Sequence, residues 1–400
     1  MVQKINTQEI IRKEKEYVLS TYPRLPFVLT RGKGSFLFDG EGNQYLDFGA
    51  GIAVNALGHC DEEVVNAIQQ QAQTLSHVSN LYYTAPHVEL AEKLCQLSFA
   101  DKVFFSNSGA EAIEASLKFA RKYGRAKFGE GKTKLVAFSS GFHGRTFGAL
   151  SITAREKYQA PFKPLVPDVE IVPFNDVAAA QQAIDDSTCA VVVEVVQGEG
   201  GVNLATQQFL QTLRTSCTQH AALLIVDEIQ SGFGRTGKLW AYQHFDIQPD
   251  MMTLAKALGG GLPVGATLMT NDVAEPIVAG DHGSTFGGGP ITASAALIIL
   301  QRTQDPGMLD HVQKMGAYLY SELNALNLPQ VVGIRSLGLM VGIELSVDAK
   351  PFYKKAHEYG ILLLTAGPNV IRLLPPLTIT KAEIDQFIRA FKKLLMEKTV

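Results

Sequence analysis

Residues Ala221 to Gly265 read AALLIVDEIQSGFGRTGKLWAYQHFDIQPDMMTLAKALGGGLPVG. The apolar run Ala221–Val226 ends in two carboxylates, Asp227 and Glu228. Lys256 follows twenty-nine residues after Asp227, between apolar residues and the cluster Gly259–Gly261. A nearly continuous apolar run is expected of a strand covered on both faces. A carboxylate at the carboxyl end of such a strand can protonate and hold a heteroaromatic nitrogen. A lysine in an apolar pocket can lose its proton and form an imine with a carbonyl.

Working outward, similar runs recur at Lys102–Phe105, Lys134–Phe138, Val169–Val172, Ala190–Val195, Met251–Leu254 and Gly265–Met269. Helix-period stretches such as Ala110–Arg125 and Gln207–Gln219 lie between them. This alternation predicts an α/β fold with a large domain, residues 57–300, built on a mostly parallel sheet. Beyond Asp305 a long amphipathic pattern, Met308–Leu326, precedes short strand-like pieces at Leu339–Leu345, Ile361–Thr365 and Val370–Leu374, and then a final helix, Lys381–Lys398. That order predicts a smaller α+β domain over residues 301–400. Residues 1–56 are expected to join it, because Gly34–Asp47 reads as a hairpin.

Composition sets broad bounds. The 400 residues are 46% hydrophobic and 19% charged with a net charge of -3, an ordinary globular balance that gives no reason to expect nucleic acid or membrane as partner. No apolar run is long enough to span a bilayer, and the N-terminal stretch has neither an h-region nor a transit-peptide composition, so the expected location is cytoplasmic. Cys60, Cys95, Cys189 and Cys217 are scattered without a CxxC pair and read as buried free thiols. The nine histidines show no ligand spacing; they read as packing or surface residues, and no metal is expected. Gly131-Lys132-Thr133 resembles the end of a P-loop, but Ala126 stands where its first glycine is required.

Several further stretches sit where ligands bind in open α/β sheets, beyond the carboxyl ends of strands. Ser106-Asn107-Ser108-Gly109-Ala110-Glu111 opens a helical pattern and can leave N–H groups open to a phosphate; an ordinary N-cap is the commoner use. Phe142, in Gly141-Phe142-His143-Gly144-Arg145-Thr146, can stack on a flat ring, and Arg145 can clamp a carboxylate or simply be solvated. Glu194 and Glu199 fall near the same sheet edge, where a solvent-exposed loop is the plain alternative. Arg372 is a charge within an apolar strand that can equally face solvent. Ser284 and Thr285, in a Gly-rich loop, allow either a phosphate contact or a turn.

Taken in order, SNSGAEA, GFHGRT, VDEIQSGFGRTG, AKALGGGLP and HGSTFGG resemble the class III (subgroup II) aminotransferases, enzymes dependent on pyridoxal 5'-phosphate (PLP). The resemblance covers nearly the whole chain, and within the group it is similar to the N-acetylornithine enzymes. It implies PLP fold type I with a seven-stranded sheet. It implies Lys256 as the imine-forming lysine, Asp227 as partner of the pyridine nitrogen, and Gln230 near the phenolic oxygen. Phe142 is implied as the stacked ring, Gly109 and Ala110 as the phosphate turn, and Glu228 and Ile229 as further cofactor neighbours. Thr285 is implied as a phosphate ligand donated across a homodimer, with Ser284 beside it near the substrate. Arg145 and Arg372 are implied as carboxylate ligands, with Glu199 pairing Arg372 in one half-reaction. Val195 and Gly289-Pro290 depart from the family's usual Pro and Asn-Pro. The reaction implied is transfer of the ω-amino group of N-acetylornithine to 2-oxoglutarate, in arginine biosynthesis. Alternatives are succinylornithine, N-succinyl-diaminopimelate, ornithine or 4-aminobutyrate as donor, and, outside enzymes, a silent PLP-binding module. Gly51 falls where ornithine enzymes carry a tyrosine, which implies room for an acyl group.

Overall fold

Seven strands form the central sheet of the computed structural model, which describes residues 6–397. They are β1 (Lys102–Ser106), β2 (Lys134–Phe138), β3 (Val169–Val172), β4 (Thr188–Val193), β5 (Leu223–Asp227), β6 (Met251–Leu254) and β7 (Gly265–Met269). Their order across the sheet is β1-β7-β6-β5-β4-β2-β3. All run parallel except β7, which is antiparallel to both β1 and β6. The central strands β4 to β7 are buried at every residue, which is why they read as unbroken apolar runs. The sheet is the seven-stranded, mostly parallel one the sequence predicts. Strand β4 begins earlier and ends at Val193, so Glu194 and Val195 stand past its carboxyl end.

Because β7 runs backwards, its first residue, Gly265, pairs with Ser106 at the end of β1. The segment that leaves β6 at Leu254 therefore returns to the sheet on the same carboxyl edge. Lys256 sits in that ten-residue connection.

The predicted hairpin forms as Phe36–Asp39 against Gln44–Asp47, with Leu29–Lys33 added outside it. The predicted strand Ile361–Thr365 is two pieces. Ile361–Leu362 runs parallel to Gln44–Asp47, whereas Leu364–Thr365 pairs with Val370–Leu373 in another sheet. A buried Leu363 marks the crossing. Val331–Leu337 is a strand the sequence pattern does not announce: VVGIRSL lacks alternation and is only part-buried, yet it pairs with Met340–Leu345. The helices Pro306–Ala325 and Lys381–Met396 match their patterns, the latter opened by a Thr380–Glu383 capping box. Lys398, the expected end of that helix, lies outside the described residues. The expectation of four buried thiols is corrected: Cys189 and Cys217 are buried, Cys95 is half-buried and Cys60 is exposed. Among the described residues no helix is long and apolar enough to cross a membrane, and no cluster of metal-ligating side chains occurs.

One segment breaks the ordinary rules of backbone conformation. Ala50, Gly51, Ile52 and Ala53 hold φ of 46°, 64°, 65° and 64°. This is a single left-handed helical turn, a conformation that costs about 1–2 kcal/mol for each Cβ-bearing residue.

Candidate active site

A cavity of about 510 Å³ opens at the carboxyl edge of the sheet. Asn107–Ala110 after β1 and Phe142–Arg145 after β2 line one side of it. Glu194, Val196 and Glu199 after β4, with Asp227, Ile229 and Gln230 from β5, form its floor and far wall. Lys256 and Gly261–Val264, between β6 and β7, complete it. The topology explains the convergence: parallel strands bring their carboxyl ends together, and the reversed β7 brings its amino end.

Asp227 is buried at the end of β5. Its Oδ1 accepts from the Ile229 N–H at 3.0 Å, and its Oδ2 lies 2.8 Å from Nδ1 of the equally buried His143. The backbone N–H of His143 donates to Thr153 Oγ1 at 2.9 Å, which fixes the loop. Burial works against a charged His143, but the Asp227 hydrogen bond and charge, with Glu194 adding, hold it above the usual histidine range. His143 thus supplies a hydrogen-bond partner for a carboxylate oxygen of Asp227 that would otherwise be buried without one. Glu194 is also buried, and accepts from the N–H groups of Phe142 at 3.0 Å and Gly198 at 3.3 Å. Burial pushes its carboxyl up to about 7, against the pull of His143.

Lys256 holds φ of 42° at the start of a 3₁₀ turn, Lys256–Gly259. Burial lowers its ammonium below the ordinary lysine range, Arg372 reinforces the effect, and the carboxylates of Asp227, Glu199 and Glu194 oppose it. Loss of the ammonium proton is thereby made easier than for a solvated lysine, the direction an imine-forming amine needs.

Arg372 is not on a solvent face; only 2% of it is exposed. Its Nη2 pairs with Glu199 Oε1 at 2.6 Å and its Nη1 donates to Gln230 Oε1 at 3.1 Å, while its Nε has no partner. Burial raises the Glu199 carboxyl, but the charge and hydrogen bond of Arg372 outweigh it and leave Glu199 below its usual value. Gln230 lies so close to the neighbouring loop that a Cβ on Gly198 would fall 1.9 Å from its Oε1. Arg145, by contrast, is exposed, stacks 3.4 Å over the Tyr158 ring, and makes no ion pair among the described residues.

Gly109 and Ala110 open the helix Gly109–Phe128, whose first N–H groups have no intrahelical acceptor. Gly109 is a close approach: a Cβ there would meet Ile229 Cδ1 at 2.9 Å. One cavity thus holds a buried acid, a lysine whose charged form burial disfavours, a helix N-terminus and Phe142. This donor set fits a flat, phosphate-bearing aromatic aldehyde.

Three predicted site residues lie elsewhere in the chain. Glu228 is fully buried away from the cavity, accepting from Ser231 Oγ and the Tyr242 N–H at 2.8 Å each. Ser284 stands behind the wall, its Oγ accepting from Asn107 Nδ2 at 3.1 Å. Thr285 is exposed and does not line the cavity. Sequence reasoning missed His143, Glu194 as a buried ligand of two N–H groups, and Tyr158 as the platform under Arg145. The histidine was judged by metal spacing. Its usable signal was its place beside Phe142 on the loop after β2, facing an acid.

A family model described as "Aminotransferase class-III" matches residues 17–395. The mitochondrial acetylornithine aminotransferase of Alnus glutinosa is 49% identical over 95% of this chain and 86% of its own. The ornithine aminotransferase of Toxoplasma gondii superposes with a TM-score of 0.94 at 31% identity, covering 98% of this chain and 95% of that one. The N-acetylornithine aminotransferase of Stenotrophomonas maltophilia K279a superposes at 0.83 with 36% identity, covering 96% and 98%. The chain belongs to the class-III aminotransferases, enzymes that depend on PLP.

Proposed function

We propose that this aminotransferase moves the ω-amino group of N-acetylornithine to 2-oxoglutarate, giving N-acetylglutamate semialdehyde and glutamate. The observation that carries this reading is the buried Arg372 paired at 2.6 Å with Glu199, which lines the same cavity as Arg145, an arginine without an ion pair among the described residues. Two substrates must share the site in turn. Arg145 binds the carboxylate remote from the reacting carbon in each. Arg372 is needed only when an oxo acid brings a second carboxylate beside that carbon; otherwise Glu199 neutralises it. The acetylated donor is supported by the 49% identical relative and by the absence of a polar side chain at Gly51.

The residues divide the work as follows. Gly109 and Ala110 would hold the cofactor's phosphate, Phe142 would stack on its ring, and Ile229 and Gln230 would flank it. Bound PLP supplies a carbonyl that takes up the amino group and a ring that accepts the electron pair left when a carbon is deprotonated. Asp227, backed by His143, keeps the ring nitrogen protonated. Lys256 would hold the carbonyl as an imine and, once released from it, would serve as the base that takes the proton from the substrate carbon.

The working unit in this proposal is a homodimer. Thr285 is exposed beside Phe286, and Asn80 ties that loop to Leu81, Tyr82 and Tyr83 by donating to the carbonyls of Ser284 and Gly287 at 2.9 and 3.2 Å. Tyr83 is 99% exposed and Leu81 79%, an apolar patch that suits burial against a second copy. There Thr285 would reach the partner's phosphate, with Ser284 near its substrate. We place the reaction in arginine biosynthesis, in the cytoplasm.

A donor panel with 2-oxoglutarate, scored by glutamate formed, tests the assignment. The expected order of kcat/KM is N-acetylornithine above free ornithine. The reverse order transfers the assignment to ornithine.

A further inference from the structure

Arg155 has no part in the chemistry above, yet it is fastened to the residue that covers Arg372. It stands at the start of the short helix Glu156–Gln159, and its Nη2 donates to the main-chain carbonyl of Glu199. It forms no ion pair with a carboxylate among the described residues, and its Nε is buried without an acceptor. Buried donors are nearly always bonded, so one left free asks for a reason. Arg155 does not line the cavity. It lies behind Tyr158, whose ring centroid is 5.8 Å from the Arg155 guanidinium carbon and 3.4 Å from that of Arg145.

The side chain of Glu199 is 29% exposed, and Arg372 is its one hydrogen-bond partner among the described residues. An oxo acid that brings a carboxylate to Arg372 sets two anions on one guanidinium, which already donates to Gln230 through Nη1. Like charges that close repel. A Glu199 carboxylate driven off without a new cation would stay half-buried and unpaired, which is also costly. Arg155 offers a way out. Its guanidinium is bonded to the carbonyl of Glu199 itself, so it stays within reach of that residue's side chain. Rotation about the side-chain bonds, with no shift of the main chain, turns the carboxylate from Arg372 toward the free Nε. Burial raises the Glu199 carboxyl, Arg372 draws it down, and the charge of Arg155 already pulls in the same direction as Arg372.

We propose that Arg155 is a positioning residue for the second half of the cycle: it receives the Glu199 carboxylate when an oxo acid takes Arg372. Each charge then has a partner in both half-reactions, and Arg155 acts through Glu199 without touching either substrate. This rests on the two-substrate reading above, which Arg372→Ala checks separately. With that reading wrong, Arg372→Ala leaves 2-oxoglutarate binding unchanged; with only the role of Arg155 wrong, Arg372→Ala still weakens it.

The test is calorimetric titration of the PLP-loaded enzyme with 2-oxoglutarate, without donor so that nothing turns over. Single-turnover rates with the preferred amine donor and melting temperatures are measured beside it. Arg155→Gln keeps a donor for the Glu199 carbonyl but gives up the charge. It is expected to weaken 2-oxoglutarate binding roughly tenfold or more, while the donor half-reaction changes less than about twofold. Arg155→Lys keeps the charge and is expected to stay within about threefold of wild type. In a Glu199→Gln background there is no carboxylate to receive, so Arg155→Gln is expected to cost less than about a further twofold. A merely structural or substrate-binding Arg155 would give the same loss with or without the Glu199 carboxylate. That result, or a donor half-reaction damaged as much as 2-oxoglutarate binding, overturns the proposal.

Discussion

At the scale of single residues the proposed site sets charges in pairs, Arg372 with Glu199 and Asp227 with His143. Lys256→Ala removes the amine that fixes the carbonyl of PLP. It is expected to abolish turnover and the visible absorbance of lysine-bound cofactor while leaving circular dichroism unchanged. Asp227→Asn leaves His143 without its carboxylate and the ring nitrogen without an anion. It should retain PLP but lose activity by roughly a hundredfold or more, the scale on which a preorganised electrostatic partner matters. A rate within a few-fold of wild type would falsify that role. Arg372→Ala leaves the half-buried Glu199 without its cation, and truncating one member of such a pair costs about 2–5 kcal/mol. The loss is expected chiefly in the 2-oxoglutarate half-reaction, whereas Arg145→Ala should weaken both; single-turnover rates of each half separate the two. That Asp227, Lys256 and Arg145 gather at one cavity was legible in the sequence, because each follows a recognisable strand or motif. His143 and Glu194 were not, because their roles depend on which strand ends become neighbours, and only the sheet order sets that.

At the scale of elements, the fully buried strands were the most readable, since a strand covered on both faces leaves an unbroken apolar run. The half-buried ones were not. Val331–Leu337 carries Gly333, Arg335 and Ser336 and owes its strand state to its neighbour Met340–Leu345. Ile361–Thr365 looked like one strand because its composition does not record that the chain changes sheets at Leu363. Glu228 shows how an element end is built at an electrostatic cost. It caps the turn at Tyr242, and burial pushes its carboxyl up to about 7 from a reference of 4.5. Its folded value lies above its unfolded one, so the wild type loses stability as pH rises from about 4.5 to about 7. A Glu228→Gln chain has no such loss. Relative to wild type it should gain on the order of 2–3 kcal/mol between pH 5 and pH 8, given a value of about 7. Denaturant melts at the two pH values check this, and a pH-independent difference contradicts it.

At the scale of the whole molecule, the proposed dimer makes each site depend on two chains. Mixing inactive Lys256→Ala chains with chains defective at Thr285 should restore some activity, because one of the two sites in a mixed dimer receives both intact residues. No recovery after confirmed subunit exchange rules the shared site out. The apolar patch around Tyr83 was visible in the sequence only as composition; its exposure required the fold. The parallel pairing of Ile361–Leu362 with Gln44–Asp47 has a different bearing, on the order in which the protein is made. As the chain leaves the ribosome, the hairpin strand Gln44–Asp47 is synthesised more than three hundred residues before the partner for its open edge. Through most of translation that edge is an unpaired row of N–H and C=O groups, open to other nascent chains. A chain stopped before Ile361 keeps it open for good, so loss of the whole last tenth of the sequence should yield aggregates rather than a shortened enzyme.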